Sequence, residues 1–283
     1  MKYSNSNLQN YTSYYEFENF EEQINQVLGV VHQTLSAISQ NTHIDLVSNT
    51  EFLYFGSIIT NNNINPSDPI DLLIKINNPF LIDVNNEFLH TKNRKKRANL
   101  LSTATILQII SASFYQALTP VSKVNLNGSN VLIDSLGELG KNYRIFVVAS
   151  ENAESGECYG INSTQKTIYK YNINTAVDNF NQKNESTNGY FSDMINIIKS
   201  ISYDVNAQLN EFAIESLIYN VPDKFFEGEP NKQLLKVLNY IKLSSYDKFT
   251  SIDDNGDIKS NGFIDTSLLE IKKFIEQISY ALQ

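Results

Sequence analysis

A chain of 283 residues that is 41% hydrophobic can bury the core of one large domain or two medium ones, so a folded globular protein is the expected class. A net charge of -9 argues against constitutive binding along a nucleic-acid backbone, because the sequence-independent part of that affinity comes from Lys and Arg neutralising phosphates; a small molecule or a protein is the expected partner. The single cysteine, Cys158, rules out an internal disulfide and any paired-thiolate metal site, which fits a reducing compartment.

The first twenty residues lack the apolar core of a secretory signal, and no window approaches the run needed to cross a bilayer. The sequence therefore predicts a cytoplasmic protein with no membrane partner. Phe20, Ile24, Val27, Leu28, Val31, Leu35 and Ile38 recur at helical spacing and predict one long amphipathic helix that stops near Gln40-Asn41. Phe52, Tyr54 and Phe55 lead into Gly56-Ser57, and Asn61 to Asn63 with Pro66 read as a loop. Ile70 to Ile76 is a nearly continuous apolar run, the pattern of a central strand covered on both faces, with Pro69 where a strand tolerates proline. Lys92, Arg94, Lys95, Lys96 and Arg97 form a basic knot that reads as a solvated helix start. Leu100, Ala104, Leu107, Ile110 and Phe114 predict a second long helix, ended by Pro120. Val131 to Asp134 and Tyr143 to Val148 predict two strands joined through Gly137 and Gly140.

From about Asn174 the texture is helical. Phe191, Met194, Ile195 and Ile198 make one apolar face, Leu209, Phe212, Ala213 and Leu217 a second, and Leu234, Leu235, Leu238 and Ile241 a third. Leu268, Ile271, Ile275, Ile278 and Leu282 form the stripe of a last helix. A mixed first half followed by a helical second half predicts two lobes, residues 1–160 and 161–283, packed on one another. Ser251, Asp253, Asn255 and Gly256 fall in calcium-loop register, but Gly262 stands where a bidentate Glu is required, so the segment reads as a polar turn.

Gly56-Ser57 and Asp71 carry the chemistry. Backbone N–H groups at a helix start can cradle phosphates, and a glycine followed by a small hydroxyl residue permits close approach. Divalent ions take hard oxygen ligands, which makes the acid at the head of the apolar strand a candidate. On the residues alone, Gly-Ser suits an ordinary strand-to-helix turn equally, and Asp71 suits a capping acid.

The order of elements adds to this: long helix, Gly-Ser, polar loop, Asp-led strand, long helix, hairpin, helical lobe. Over about residues 15–225 it resembles the cyclic GMP-AMP synthase and oligoadenylate synthase branch of the nucleotidyltransferase superfamily, which includes bacterial oligonucleotide cyclases. Asp71 to Ile76 is similar to that family's acid-led strand, and Arg144 to Ser150 resembles the strand that supplies its last metal ligand. Asn181 to Lys199 looks like the helix whose basic residue reaches the triphosphate, and Leu209 to Glu215 resembles the helix after it. The resemblance implies an α+β fold, a polymerase-beta-like nucleotidyltransferase core with a mixed sheet plus a helical C-terminal lobe. It also implies nucleotide binding by Gly56, Ser57 and Lys199, an NTP or related nucleotide as partner, and catalytic, metal-holding roles for Asp71 and, as a substitute, Asp68 with Mg2+ or Mn2+.

The chain departs from that pattern at two acids. The position two before Asp71 is Pro69, and the last acid falls on Phe146. Asp68 lies three residues from Asp71, an odd spacing that points to the opposite face of a regular strand unless Pro69 makes a kink or bulge. Asp134 belongs near the hairpin turn, away from Phe146. Two divalent ions bring four positive charges, and one carboxylate offsets one of them. Two functions follow, with the enzyme question open: a protein that binds an NTP in an inter-lobe cleft and transfers a nucleotidyl group to a hydroxyl acceptor, or a catalytically inactive ligand-binding or protein-interaction module.

Overall fold

The computed structural model describes residues 8, 21–42, 45–54, 69–77, 103–118, 123–127, 130–134, 142–150, 154, 156–162, 167–207, 209–258 and 266–282. The chain divides into two compact units, one drawing on Glu16–Phe55 and Pro66–Tyr171, the other on Asn172–Gln283 with two shorter N-terminal segments. Among the described residues no helix is long and apolar enough to cross a membrane.

The first unit is built on seven strands: β1 (Thr50–Tyr54), β2 (Ile70–Asn77), β3 (Lys123–Asn127), β4 (Asn130–Asp134), β5 (Tyr143–Ser150), β6 (Glu157–Asn162) and β7 (Thr167–Asn172). Their order is β1-β2-β5-β4-β3, with β6 pairing β5 and β7 pairing β6. Only β2 and β5 run parallel in the registered pairs, which makes the sheet mixed. Two helices belong to this unit, α1 (Glu21–Thr42) and α2 (Thr103–Leu118). Ile24, Val27, Val31, Leu35 and Ile38 of α1 are buried at the predicted spacing, as are Ile106, Leu107, Ile110 and Phe114 of α2. At about 1.5–3 kcal/mol per buried large side chain, such stripes hold a helix that propensity alone would leave marginal. α2 packs on α1 and lies against β3, β4, β5 and β6.

Because successive strand residues face opposite ways, register assigns each side chain to a face. Ile70, Leu72, Ile74 and Ile76 share one face with Tyr143, Ile145, Val147 and Ala149 of β5 and with Val131 and Ile133 of β4, and every one is buried. The opposite face carries the polar residues of the same strands: Glu51, Asp71, Lys75, Asn77, Asn130, Arg144 and Ser150. The apolar run predicted as a strand covered on both faces is therefore buried on both, but only one of its faces is apolar. Asn130, and not Asp134, stands opposite Phe146 in the β4–β5 pairing, as the hairpin argument requires.

The second unit is helical: α3 (Ile173–Ser186), α4 (Tyr190–Asp204), α5 (Glu211–Tyr219), α6 (Pro230–Leu243) and α7 (Leu268–Ala281). The sequence reads Asn181 to Lys199 as one helix, whereas the structure breaks it at Thr187–Gly189, where Asn188 and Gly189 adopt φ of 55° and 86°. That left-handed geometry is accessible to Asn and Gly at little cost. Thr187 Oγ1 accepts the Phe191 N–H at 3.1 Å, and Asn184 Oδ1 accepts that of Ser192 at 3.0 Å, so the new helix start is satisfied. Phe180, Phe191 and Phe226 pack around the break, with ring centroids 5.1 and 6.2 Å apart. The Ser251–Ile258 loop is a polar turn: Asp253 accepts from Ser251 Oγ, Asn255 Nδ2 and the Asn172 N–H. Ser267 and Glu270 form a capping box that starts α7.

Two expectations follow from the sheet unit. A Cβ on Gly160 would sit 2.1 Å from Tyr169 Cζ, so Gly160→Ala forces an overpacked contact and is expected to cost about 1–3 kcal/mol, read as a lower melting temperature that Tyr169→Leu partly restores. The Cys158 thiol is fully buried, and burial pushes it from an ordinary 9.0 up to about 12. Its contribution to stability is fully present below pH 9 and is lost as the pH rises toward 12. Iodoacetamide at pH 8 is expected to label Cys158 slowly in the native protein and at once in guanidinium.

Candidate functional site

Asp71 is the second residue of β2, and the parallel register places it beside Arg144, the second residue of β5. The guanidinium meets the carboxylate as a fork: Nε donates to Oδ1 at 2.7 Å and Nη2 donates to Oδ2 at 2.6 Å. Both carboxylate oxygens are engaged by one planar cation, the geometry in which Arg and carboxylate pair best. The Asp71 side chain is only 5% exposed and that of Arg144 19%, so the pair is little screened by solvent. Phe146, two residues along the same face, places its ring 5.6 Å from Arg144 Cζ and adds a cation–π contact.

Further along the face lies a second cluster. Lys75 Nζ is 3.6 Å from Glu51 Oε2, Asn77 Nδ2 donates to Glu51 Oε1 at 2.6 Å, and Ser150 Oγ donates to Asn77 Oδ1 at 2.6 Å. Leu73, Phe146 and Val148 separate the two clusters. The formal charges of Asp71, Arg144, Glu51 and Lys75 cancel within the two clusters.

Each predicted site residue can now be placed. Asp71 is on the polar face, in the fork. Lys199 lies in α4, 3% exposed, with Nζ 3.1 Å from Oε2 of the buried Glu211 at the start of α5. Gly56, Ser57 and Asp68 lie outside the described residues, as does the basic knot 92–97.

A two-metal site asks for several carboxylates converging on hard cations. At the positions where the resemblance places them, the chain has Pro69, Asp71 and Phe146, and the one acid among them is closed by a guanidinium. Among the described residues no three His, Cys, Asp or Glu side chains come together as a metal site. Among the described residues this donor set does not fit a divalent pair.

Arg144 is the residue that sequence reasoning missed. A signal for it existed: one cation in the buried strand Tyr143–Ser150 and one leading anion in β2 each need an answering charge. Lys75 and Glu51 carry the same signal. What strand patterns alone do not provide is the register that says which cation meets which anion.

Known proteins supply the context for this geometry. Residues 178–279 match the family of cGAS/DncV-like nucleotidyltransferase C-terminal helical domains. Comparison with curated proteins returns no match. Among solved structures, the Elizabethkingia meningoseptica CdnE cyclic dinucleotide synthase with GTP and Apcpp is similar at a TM-score of 0.70 and 15% identity, covering 99% of each chain. The 3'-deoxy ATP bound form of Vibrio cholerae DncV is similar at 0.63 and 10% identity, over 99% of this chain and 88% of that one. The E. coli MS115-1 CdnC:HORMA-deltaN complex is similar at 0.58 and 11% identity, over 98% and 86%. At these identities the likeness shows the fold, and the family match concerns residues 178–279. The chain thus has the fold of these solved nucleotide-bound structures, and its residues 178–279 match the cGAS/DncV-like nucleotidyltransferase C-terminal helical domain.

Proposed function

We propose that this chain is a catalytically silent nucleotidyltransferase-fold protein that acts by binding a ligand or a protein partner, in the cytoplasm, and does not transfer nucleotidyl groups. The observation that carries the proposal is the bidentate Arg144–Asp71 fork. A catalytic carboxylate must hold a cation that also holds the nucleotide, and here both of its oxygens face a side chain of the same sheet. Lys199 supports the same reading from the helical unit: a base meant for a triphosphate has its charge answered by Glu211.

A structural relative has been seen with a HORMA protein in its complex, which makes a protein partner a reasonable occupant for this fold when transfer is lost. The competing reading keeps transfer, with Asp71 leaving Arg144 and Asp68 completing a site for Mg2+ or Mn2+. The fold favours it, since solved structures of that fold include cyclic dinucleotide synthases.

Incubation of the purified chain with labelled NTPs and Mg2+ or Mn2+, beside Asp71→Ala, is expected to give no Asp71-dependent product. Product that Asp71→Ala abolishes defeats the proposal. Lys199 separates the readings further. Lys199→Met strands a buried Glu211, and by analogy with other broken buried pairs it is expected to cost about 3–5 kcal/mol of stability in denaturant titration without any nucleotide present. A Lys199 reserved for phosphates would instead leave apo stability unchanged and weaken nucleotide-induced stabilisation.

A further inference from the structure

We infer that the open edge of β3 is a self-association surface, on which two copies of this chain pair their β3 strands antiparallel about a two-fold axis through Asn125. The inference stands apart from the question of transfer, because it concerns the rim of the sheet and no residue assigned to nucleotide or metal.

The strand order β1-β2-β5-β4-β3 gives β3 a single strand neighbour, β4, so the other side of β3 ends the sheet. Lys123, Asn125 and Leu126 are exposed, Leu126 to 38%, and Val124 is half-buried. The main-chain N–H and C=O groups along such an edge are a template for another strand, and proteins blunt it with proline, bulges or several charges. Lys123–Asn127 pairs with β4 in unbroken register, contains no proline and carries one charge, at its first residue.

The register settles which main-chain groups are on offer. Asn127 and Asn130 are partners across a two-residue connection, and a pair that close to the turn can only be of the hydrogen-bonded kind. The two kinds of pair alternate along an antiparallel ladder, so Asn125–Leu132 and Lys123–Asp134 are hydrogen-bonded pairs as well. Val124 and Leu126 therefore turn their N–H and C=O groups to the open edge, where a neighbouring strand would receive them.

The strand KVNLN is polar, apolar, polar, apolar, polar from either end. Reversed about Asn125, it sets Val124 against the second copy's Leu126 on both sides of the axis and Asn125 against its own counterpart. Lys123 then faces Asn127, and no like charges are opposed. In this register the outward groups of Val124 and Leu126 exchange four main-chain hydrogen bonds, and Asn125 falls on the non-hydrogen-bonded pair between them, as the alternation requires. A shift of one residue sets outward groups against inward ones, and a shift of two keeps only two of the four bonds within the strand. The opposite edge of the sheet lacks this match: TEFLY of β1, reversed about Phe52, sets Glu51 against Leu53. Four hydrogen bonds and two apolar pairs make a small interface, so the association is weak and reversible.

The test is sedimentation velocity of the full chain from micromolar to submillimolar concentration, with melting curves to show that each variant is folded. Wild type is expected to pass reversibly from monomer to dimer. Leu126→Pro removes an N–H that the β3–β4 ladder does not use, and is expected to stay folded while weakening association by roughly tenfold or more. Asn125→Asp and Asn125→Lys each oppose like charges on the axis; each is expected to be monomeric alone, and their equimolar mixture to dimerise. Mild oxidation reads the register: Asn125→Cys is expected to give a disulfide-linked dimer and Lys123→Cys is not, with Cys158 buried and silent. Wild type that stays monomeric throughout overturns the inference and leaves a strand from another protein as the occupant of the edge. A dimer indifferent to Leu126→Pro and to both Asn125 variants places self-association elsewhere and overturns it equally, as does Lys123→Cys cross-linking as fast as Asn125→Cys.

Discussion

The Asp71–Arg144 fork is where sequence, sheet register and chemistry meet in this protein. Asp71 and Arg144 are 73 residues apart in the chain, and only the parallel pairing of β2 with β5 brings them side by side. The pairing is fixed by the other face of the same strands, where Ile70, Leu72, Ile74 and Ile76 lie beside Tyr143, Ile145, Val147 and Ala149. A slip of one residue would turn those apolar side chains onto the polar face and the ions into the core, so the register is strongly specified. The apolar face sets the geometry, and the fork is its consequence on the other side. An ion pair of this kind contributes little net stability relative to apolar substitutes, but it penalises any register in which either charge is left alone.

The same logic recurs at the other end of the face and in the helical unit. Lys75 is answered by Glu51, whose other oxygen accepts from Asn77, which in turn accepts from Ser150. Lys199 is answered by Glu211. Lys183 donates to the Val221 carbonyl and to Asp223, tying the end of α3 to the segment after α5. Binding a polyphosphate works the opposite way: it needs cations or metal-holding acids left unanswered by the protein until the ligand arrives. Of the residues that the family resemblance would assign to phosphate and metal, Asp71 and Lys199 are neutralised from within, each by a neighbour on an adjacent element.

How far the fold was legible in the sequence depends on how local its signals are. The stripes of α1, α2, α6 and α7 repeat every three or four residues and could be read directly, and so could the apolar β2. β3, with the sequence KVNLN, alternates polar and apolar residues over only five positions, too short a run to stand out, and takes its place by pairing with β4. The break between α3 and α4 was hidden for a different reason. Phe180 and Phe191 pack against each other across it, so the apolar pattern continues while the backbone turns at Asn188 and Gly189. At the site, Asp71 was legible as a lone acid heading a buried strand, whereas its partner was not, because register is a non-local property. Gly56, Ser57 and Asp68 lie outside the described residues, and their roles rest on the motif.

The departures from the family pattern are better understood as one change than as three. Restoring an acid at position 146 alone would set a new carboxylate beside a guanidinium already committed to Asp71, in a strand that is buried along its length. The result would be two acids sharing one cation, with the Phe146 ring lost from the guanidinium face. Restoring an acid at position 69 would add a second negative charge just before the strand and leave Arg144 still blocking Asp71. Removing Arg144 alone would take the guanidinium fork away from a buried Asp71. Each added acid would bring a negative charge to a face whose guanidinium is already engaged by Asp71. An Asp71 held by a guanidinium and non-acidic residues at 69 and 146 are therefore mutually compatible, with the apolar face holding β2 and β5 in register on the other side.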